Sequence, residues 1–283
     1  MTEFVPLEPV DYLAIGHVAV DLTSDGLRLG GTVSYAALVA RALGLRVGIV
    51  TSFGDGAPLE ALKGIPLVSV PSAQSTTFEN IPLPEGRKQI LHGRAEPLAY
   101  EHIPTVWRTA PIIHLAPLAQ EFSGELASQV SAPIVGLTLQ GWLRGWDEQG
   151  RVYPVPLSAP EEVLPRIGAM VMSIEDAGGD YVEVDYFAHH TRLLAVTEGA
   201  AGSVLYWNGD RRRFRALKVR EVDSVGAGDI YAAAFFVRLY TTRDPWEAAR
   251  FATLVASYSV TRPGLEGVPT QEEIQACMME VLF

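Results

Sequence analysis

The chain has 283 residues, 48% of them hydrophobic and 19% charged. That suits one large α/β domain with or without a small appendage, or two ordinary domains, and it excludes intrinsic disorder. The net charge of −11 argues against general nucleic-acid or anionic-membrane binding, which needs clustered Lys and Arg.

In chain order, Met1 to Pro9 has no basic stretch followed by an apolar core, so no signal peptide is expected. Tyr12 to Ile15 is a short apolar strand ending at Gly16-His17, and Val18 to Leu22 continues it, with Asp21 near its end. After Gly30-Gly31, Thr32 to Leu43 has helical spacing, with Thr32 as N-cap and Gly44 as the closing glycine. Arg46 to Thr51 is a second strand, closed by Phe53-Gly54-Asp55-Gly56. Strand, helix and strand at this spacing predict a right-handed βαβ unit and a parallel sheet.

Residues 76–81 alternate, and Gln89 to His92 follows a Pro-Glu-Gly turn, which predicts a hairpin with one polar face. The α/β rhythm then resumes: strands at Pro111 to Leu115, Pro133 to Leu139, Ala169 to Ile174, Leu193 to Thr197 and Ser203 to Trp207, and a helix over Gln120 to Val130. Asn208-Gly209 marks a hairpin end that carries the basic run Arg211 to Arg213. His189-His190 reads as linker beside Tyr186 and Phe187, without the spacing of a zinc site. Two long helical stretches, Gly228 to Tyr240 and Pro245 to Thr261, close the pattern. The single cysteine, Cys277, lies in an amphipathic tail with Ile274, Met278, Val281 and Leu282; it reads as packing rather than catalysis, and a lone thiol fits a reducing cytoplasm. No run of eighteen apolar residues is present to span a membrane.

The chemistry-bearing segment is Asp223-Ser224-Val225-Gly226-Ala227-Gly228-Asp229, placed before an apolar helix. A helix start presents unpaired N–H groups and about half a positive charge. Glycines there let the backbone close on an anion, as a phosphate site requires. A carboxylate in that first turn would repel a phosphate, and its natural reason is to accept the proton of an attacking hydroxyl. By itself the pattern is equally a glycine-rich helix entry with a helix-stabilising acid.

The segment resembles the C-terminal signature Asp-Thr-x-Gly-Ala-Gly-Asp of the ribokinase-like, PfkB-type carbohydrate kinases, with Ser224 in place of Thr. Gly16, Asp21 and Gly30-Gly31 resemble the N-terminal signature. Phe53-Gly54-Asp55, the Thr197 to Gly202 loop and the Ala248 to Arg262 stretch with Gly264 resemble further family elements in the same order. The resemblance implies an α/β three-layer sandwich with a mainly parallel central sheet over residues 1–283, and a small β lid from about 18–30 and 75–100. It implies an ATP-dependent kinase that transfers the γ-phosphoryl group to a hydroxyl of a small sugar or polyol, with Mg2+ and an open question of a monovalent cation near Asp223 and Val225.

By the same resemblance Asp229 is the general base, and the amides of Gly226, Ala227 and Gly228 hold the migrating phosphoryl. Asp21, Gly30 and Gly31 face the acceptor. Thr197, Gly199, Gly202, Ser224, Thr253 and Ser257 line the nucleotide site. Three departures bear on substrate. Tyr35 stands where the family usually has a sugar-contacting Asn. Ser173-Ile174-Glu175-Asp176 replaces Asn-x-x-Glu, so Glu175 or Asp176 would serve the metal, with Glu175 equally a surface acid. Gln140 and Arg144 replace an Asp-Pro-Asn strand end, as substrate contacts or as loop caps. With Thr76-Thr77-Phe78-Glu79 and Leu164 to Gly168, they resemble the plant myo-inositol kinase branch and imply a cyclitol or unusual sugar. A nucleoside kinase of the same fold and a non-catalytic sugar-binding relative stay open. A nicotinamide dehydrogenase lacks its Gly-x-Gly-x-x-Gly after the first strand. The expected partners are a small sugar or polyol and, through the lid, a second copy of the chain; nucleic acid and membrane are not expected.

His17, Trp142 and Trp146 are read equally as structural or ligand-sheltering. Arg87 and Lys88 read as a solvated turn.

Overall fold

A computed structural model describes residues 7–24, 26–82 and 87–279. In chain order it shows β1 (Tyr12–Ile15), β2 (Ala19–Thr23), β3 (Gly26–Gly30), α1 (Thr32–Ala42), β4 (Val47–Phe53), β5 (Leu67–Pro71), β6 (Thr76–Pro82), β7 (Arg87–Gly93) and β8 (Ile112–Leu115). There follow α2 (Gly124–Gln129), β9 (Ile134–Thr138), β10 (Arg144–Trp146), β11 (Val152–Pro154), α3 (Pro160–Val163), β12 (Ala169–Ser173), α4 (Tyr181–His190), β13 (Leu193–Thr197), β14 (Ser203–Trp207), β15 (Asp210–Phe214), α5 (Ala227–Thr242), α6 (Pro245–Ser259) and α7 (Gln271–Met278). The Pro84-Glu85-Gly86 turn, the side chain of Arg87, most of the N-terminal segment and Val281-Leu282 lie outside the described residues.

Nine strands form the central sheet in the order β15-β14-β13-β12-β9-β8-β1-β4-β5. From β13 to β5 all neighbours run parallel, and β14 and β15 add antiparallel strands at one edge. The composition of β1 shows why this sheet is sandwiched. All four of its residues are buried, Tyr12 and Ala14 against the layer that contains α1, α5 and α6, Leu13 and Ile15 against the opposite layer with Trp107 and Phe187. A parallel strand covered on both faces reads as an unbroken apolar run, because alternation has no wet side to mark. Helix α5 is buried from Ile230 to Val237 for the same reason, and Ala232, Ala233 and Ala234 let its neighbours approach. Arg243 turns left-handed at its end, and the Asp244 carboxylate accepts the Trp246 and Glu247 amides to start α6.

The second sheet, β3-β2-β6-β7, lines one cleft together with Ser173 and Thr197 at the carboxyl ends of β12 and β13. It combines two hairpins joined by parallel pairing of β2 with β6. Open α/β sheets present ligands at those carboxyl ends. None of the helices among the described residues is long and apolar enough to cross a membrane.

Three local expectations change. Thr32 is not the N-cap of α1; Gly31, at φ +87°, takes that place, and the Thr32 hydroxyl is used elsewhere. The helix over 120–130 shrinks to α2, because Glu121 turns inward and accepts the amides of His17, Leu118 and Ala119, which pins the preceding residues as a loop. The stretch read as linker around His189-His190 is helix α4. It is capped by Asp180 and buries only Val184 and Phe187, too few apolar positions to show a period. His17 is fully buried between the Thr76 hydroxyl and the Glu96 carbonyl, and Trp142 is buried with its indole N–H on the Phe122 carbonyl, so both are structural.

Gly136 in β9 is required by packing. A Cβ there would lie 2.7–2.8 Å from three ring atoms of Phe236 in α5. We expect Gly136→Ala to lower the urea midpoint by the equivalent of about 1–3 kcal/mol, the usual cost of overpacking a filled core. An unchanged midpoint would show that the Phe236 ring has room to move.

Candidate active site

The start of α5 is built by a tied loop. The amides of Val222 and Asp223 both donate to the Val260 carbonyl at the end of α6. The Asp223 carboxylate accepts the Val225 amide through Oδ1 and the Gly264 amide through Oδ2, each at 2.9 Å. Asp223 therefore shapes the loop rather than facing a ligand. Gly226 caps the helix at φ +78°, a conformation that favours glycine. A Cβ on it would also strike the Tyr35 ring at 2.3–2.6 Å. Gly228 has nothing within 4 Å of its Cβ position, so its backbone is open to an incoming group.

Of the three amides expected to hold a phosphoryl group, that of Ala227 donates to the Ser224 carbonyl at 3.2 Å. Those of Gly226 and Gly228 have no hydrogen-bond acceptor among the described residues. Asp229 follows in the first turn. Its Oδ1 accepts a 2.8 Å hydrogen bond from the Thr32 hydroxyl at the start of α1. Burial of the carboxylate at the cleft floor pushes its pKa up to about 6, and the nearby carboxylates of Asp176 and Asp21 push the same way. The Thr32 hydrogen bond and the Arg144 charge oppose the rise. A carboxylate so placed is ionised at neutral pH yet close enough to titration to take up a proton.

One cleft of about 310 Å³ runs past this point. Toward the small sheet it is polar, with Asp21, Asn80, Gln89, Gln140 and Arg144 on its wall. Asn80 and Gln89 are directly opposite on β6 and β7 and joined by a 2.9 Å hydrogen bond, and the Asn80 amide reaches Asp21 at 3.5 Å. Arg144 is almost buried, donates to the Leu118 carbonyl, and lies over the Phe78 ring. Toward α6 the cleft becomes an apolar slot walled by Ala216, Leu217, Val219, Val225, Ala256 and Val260.

The structure gathers the expected residues unevenly. Asp21, Gly31, Tyr35, Gln140, Arg144, Thr197, Gly199, Gly202, Ser224, Gly226, Ala227, Gly228, Asp229, Thr253 and Ser257 all border the one cleft. Gly30 lies behind it, packed against the Asp21 carboxylate, where a Cβ would meet Oδ2 at 2.2 Å. Tyr35 is only 2% exposed, and its ring supports Gly226. Thr253 and Ser257 line the wall, but their hydroxyls donate back to carbonyls of their own helix. Glu175 borders the cleft. Asp176 turns inward to the Ser173 amide and the Gln140 side chain, and its burial raises its pKa. Among the described residues no three His, Cys, Asp or Glu side chains cluster as a metal site.

Sequence reasoning did not place Thr32, Asn80 or Gln89 at the cleft, and it quoted Phe78 only as part of a resemblance. The period of two in β6 held the signal for Phe78 and Asn80, which share a face. Nothing marked Thr32, since a threonine before an apolar helix reads as a cap.

A carboxylate beside two helix-start amides that have no acceptor among the described residues, at the junction of a polar chamber and an apolar slot, is an arrangement suited to phosphoryl transfer to an alcohol. Residues 183–271 match the pfkB family carbohydrate kinases. The chain is 26% identical over 249 residues to the cytidine kinase of Thermococcus kodakarensis, covering 80% of this chain and 87% of that one. It is 33% identical over 108 residues to the 5-dehydro-2-deoxygluconokinase of Bacillus licheniformis, covering 37% of this chain and 33% of the relative. Its fold matches a pyrophosphate-dependent kinase of the ribokinase family, solved with a pyrophosphate analogue and myo-inositol. That match has a TM-score of 0.76 at 20% identity and covers 94% of this chain and all of the other. The fold is thus ribokinase-like, and the relatives that the chain resembles are kinases.

The position of Asp229 makes a test by stability. Its carboxyl titrates near 6 in the fold against 3.8 ordinarily, so the buried charge destabilises the fold above pH 6, and the penalty fades as pH falls through 6 toward 3.8. We expect Asp229→Asn to raise Tm relative to wild type at pH 7.5, with the difference vanishing near pH 4. Equal melting at both pH values would place the carboxylate in water.

Proposed function

We propose that the protein transfers the γ-phosphoryl group of ATP to a hydroxyl of a small polyol, with a cyclitol as the leading candidate. The observation that carries this reading is the position of Asp229: one residue beyond Gly228, raised toward neutrality, at the meeting point of the two ends of one cleft.

In this reading the acceptor lies in the polar chamber. Asp21 can take hydrogen bonds from two neighbouring hydroxyls, and the Asn80 and Gln89 amides and Arg144 offer donors around them. Asp229 takes the proton of the attacking hydroxyl as its oxygen bonds to the γ-phosphorus, and the bond from that phosphorus to the β-phosphate oxygen breaks, releasing ADP. The amides of Gly226 and Gly228 donate to the equatorial oxygens of the phosphoryl group in flight. The small sheet above the chamber excludes water from the reacting hydroxyl.

The apolar slot favours a donor with a base. A flat ring fits between the 216–219 strip and α6, whereas pyrophosphate would leave that slot without a purpose. Magnesium fits the carboxylates present only as an ion that keeps its waters, with Glu175 facing the cleft and Asp176 engaged by Gln140. Bound with the donor, it would neutralise phosphate charge. A nucleoside acceptor is the second reading, favoured by the match to a cytidine kinase over most of both chains. Pairing of two copies through the small sheet is part of the proposal. Leu22 and Leu27, cross-strand neighbours on β2 and β3, are 39% and 54% exposed and support it.

Purified protein with ATP and Mg2+ should phosphorylate myo-inositol or a related polyol in preference to ribose and cytidine. Turnover of cytidine alone would transfer the assignment to nucleosides, and pyrophosphate outperforming ATP would overturn the donor. Below pH 6 we expect kcat/KM to fall about tenfold per pH unit, as Asp229 must be ionised to act. Asp229→Asn should lower kcat by roughly 10²–10⁴-fold while keeping nucleotide affinity. Wild-type turnover in that variant would end the base assignment.

A further inference from the structure

We infer that Thr32 is the positioning residue of the catalytic carboxylate, and that the three residues Gly30-Gly31-Thr32 set the spacing between the acceptor's anchor and its base. The inference rests on the reading of Asp229 as the base.

The geometry is specific. Thr32 is the first residue of α1 and only 2% exposed. A threonine there would ordinarily have its hydroxyl free for the cap of its own helix or for water. Here Gly31 caps with no side-chain bond, and the Thr32 hydroxyl crosses to α5, donating to Asp229 Oδ1 at 2.8 Å. The two residues are 197 positions apart in sequence. A hydroxyl has one proton to give. Donating it to Oδ1 fixes the carboxylate plane and leaves Oδ2 as the atom with its lone pairs available to an acceptor hydroxyl.

The segment also touches the other end of the acceptor. Gly30 packs so closely on Asp21 that a Cβ would meet its Oδ2 at 2.2 Å, and the Gly30 carbonyl accepts the Ser34 hydroxyl at 2.7 Å. Gly31 is wedged against the His17 carbonyl and the Ala19 amide, where its Cβ position lies 2.7 and 2.8 Å away. The strand end of β3 and the start of α1 are thus closely packed, and one short stretch touches both Asp21 and Asp229. A shift of the small sheet that moves β3 is transmitted to the base through one hydrogen bond.

The charge around Asp229 comes from several elements: Asp21 on β2, Asp176 after β12, Arg144 on β10, and the phenols of Tyr12 on β1 and Tyr35 on α1. Thr32 gives the carboxylate a side-chain hydrogen bond. It also opposes the effect of burial. Removing it should therefore push the base further toward the protonated form and free its rotation.

The test compares Thr32→Val, which keeps the shape and loses the hydroxyl, with Thr32→Ser, which keeps the hydroxyl, and with Asp229→Asn. In the valine variant the acid limb of kcat/KM should move upward by about one pH unit, and kcat at pH 7 should fall by roughly 10–100-fold, with acceptor KM within about twofold. The serine variant should restore both the limb and kcat. A valine variant with the wild-type acid limb and kcat overturns the inference, provided Asp229→Asn is inactive. Should Asp229→Asn stay active, the base assignment itself fails. If the valine variant does not fold by its melting curve, Thr32→Ala is read by the same two measurements, with the same outcomes for and against.

Discussion

The site depends on a carboxylate set partly out of water at the cleft end of a buried helix. Asp229 is costly to bury, and the fold accepts the cost because α5 is the central helix of its layer, apolar on all sides. Its N-terminus can lie only at the carboxyl edge of the sheet, beside the amides of Gly226 and Gly228. The tied loop that precedes it, with Asp223 bonded to Val225 and Gly264, fixes where those amides point. The polar chamber, the apolar slot and the small sheet are arranged about that point.

Tyr35 shows how a substitution in a family pattern can change the job of a position rather than the substrate alone. Its ring supports Gly226 in a left-handed conformation, and it is nearly inaccessible. Burial, together with the surrounding carboxylates of Asp229, Asp21 and Asp223, pushes its phenol pKa far up, so it stays neutral. The polar side chains that line the polar end of the cleft are instead the Asn80–Gln89 pair on the small sheet and Arg144. The polar chamber is consequently framed by two strands of a hairpin and by the residues around β10, and connecting segments of this kind vary most readily between relatives.

Much of this was legible in the sequence. The parallel strands announce themselves as short apolar runs between glycine turns, and the glycine-rich entry to α5 was visible as a helix start, although its residue types alone suited a plain capped helix equally well. What was not legible depended on partners distant along the chain. Thr32 was read as a cap because local pattern offers that role, whereas its hydroxyl serves a residue in another helix. Glu121 dissolved the first half of an expected helix by gathering three amides, one of them from His17. Asp176 was expected beside a metal but is drawn inward by Gln140 and the Ser173 amide, and this left Glu175, read equally as a surface acid, as the one that borders the cleft. Helix α4 hid because it lies on the sheet by only two buried residues.

The most direct measurement is a structure of the ternary complex with a non-hydrolysable ATP analogue, Mg2+ and myo-inositol. The account predicts an acceptor oxygen within about 2.6–3.2 Å of Asp229 Oδ2, in line with the γ-phosphorus. It also predicts the Gly226 and Gly228 amides on the γ-phosphoryl oxygens. A complex in which the bound acceptor's hydroxyls all avoid that carboxylate, or in which the γ-phosphate sits away from those two amides, would contradict it.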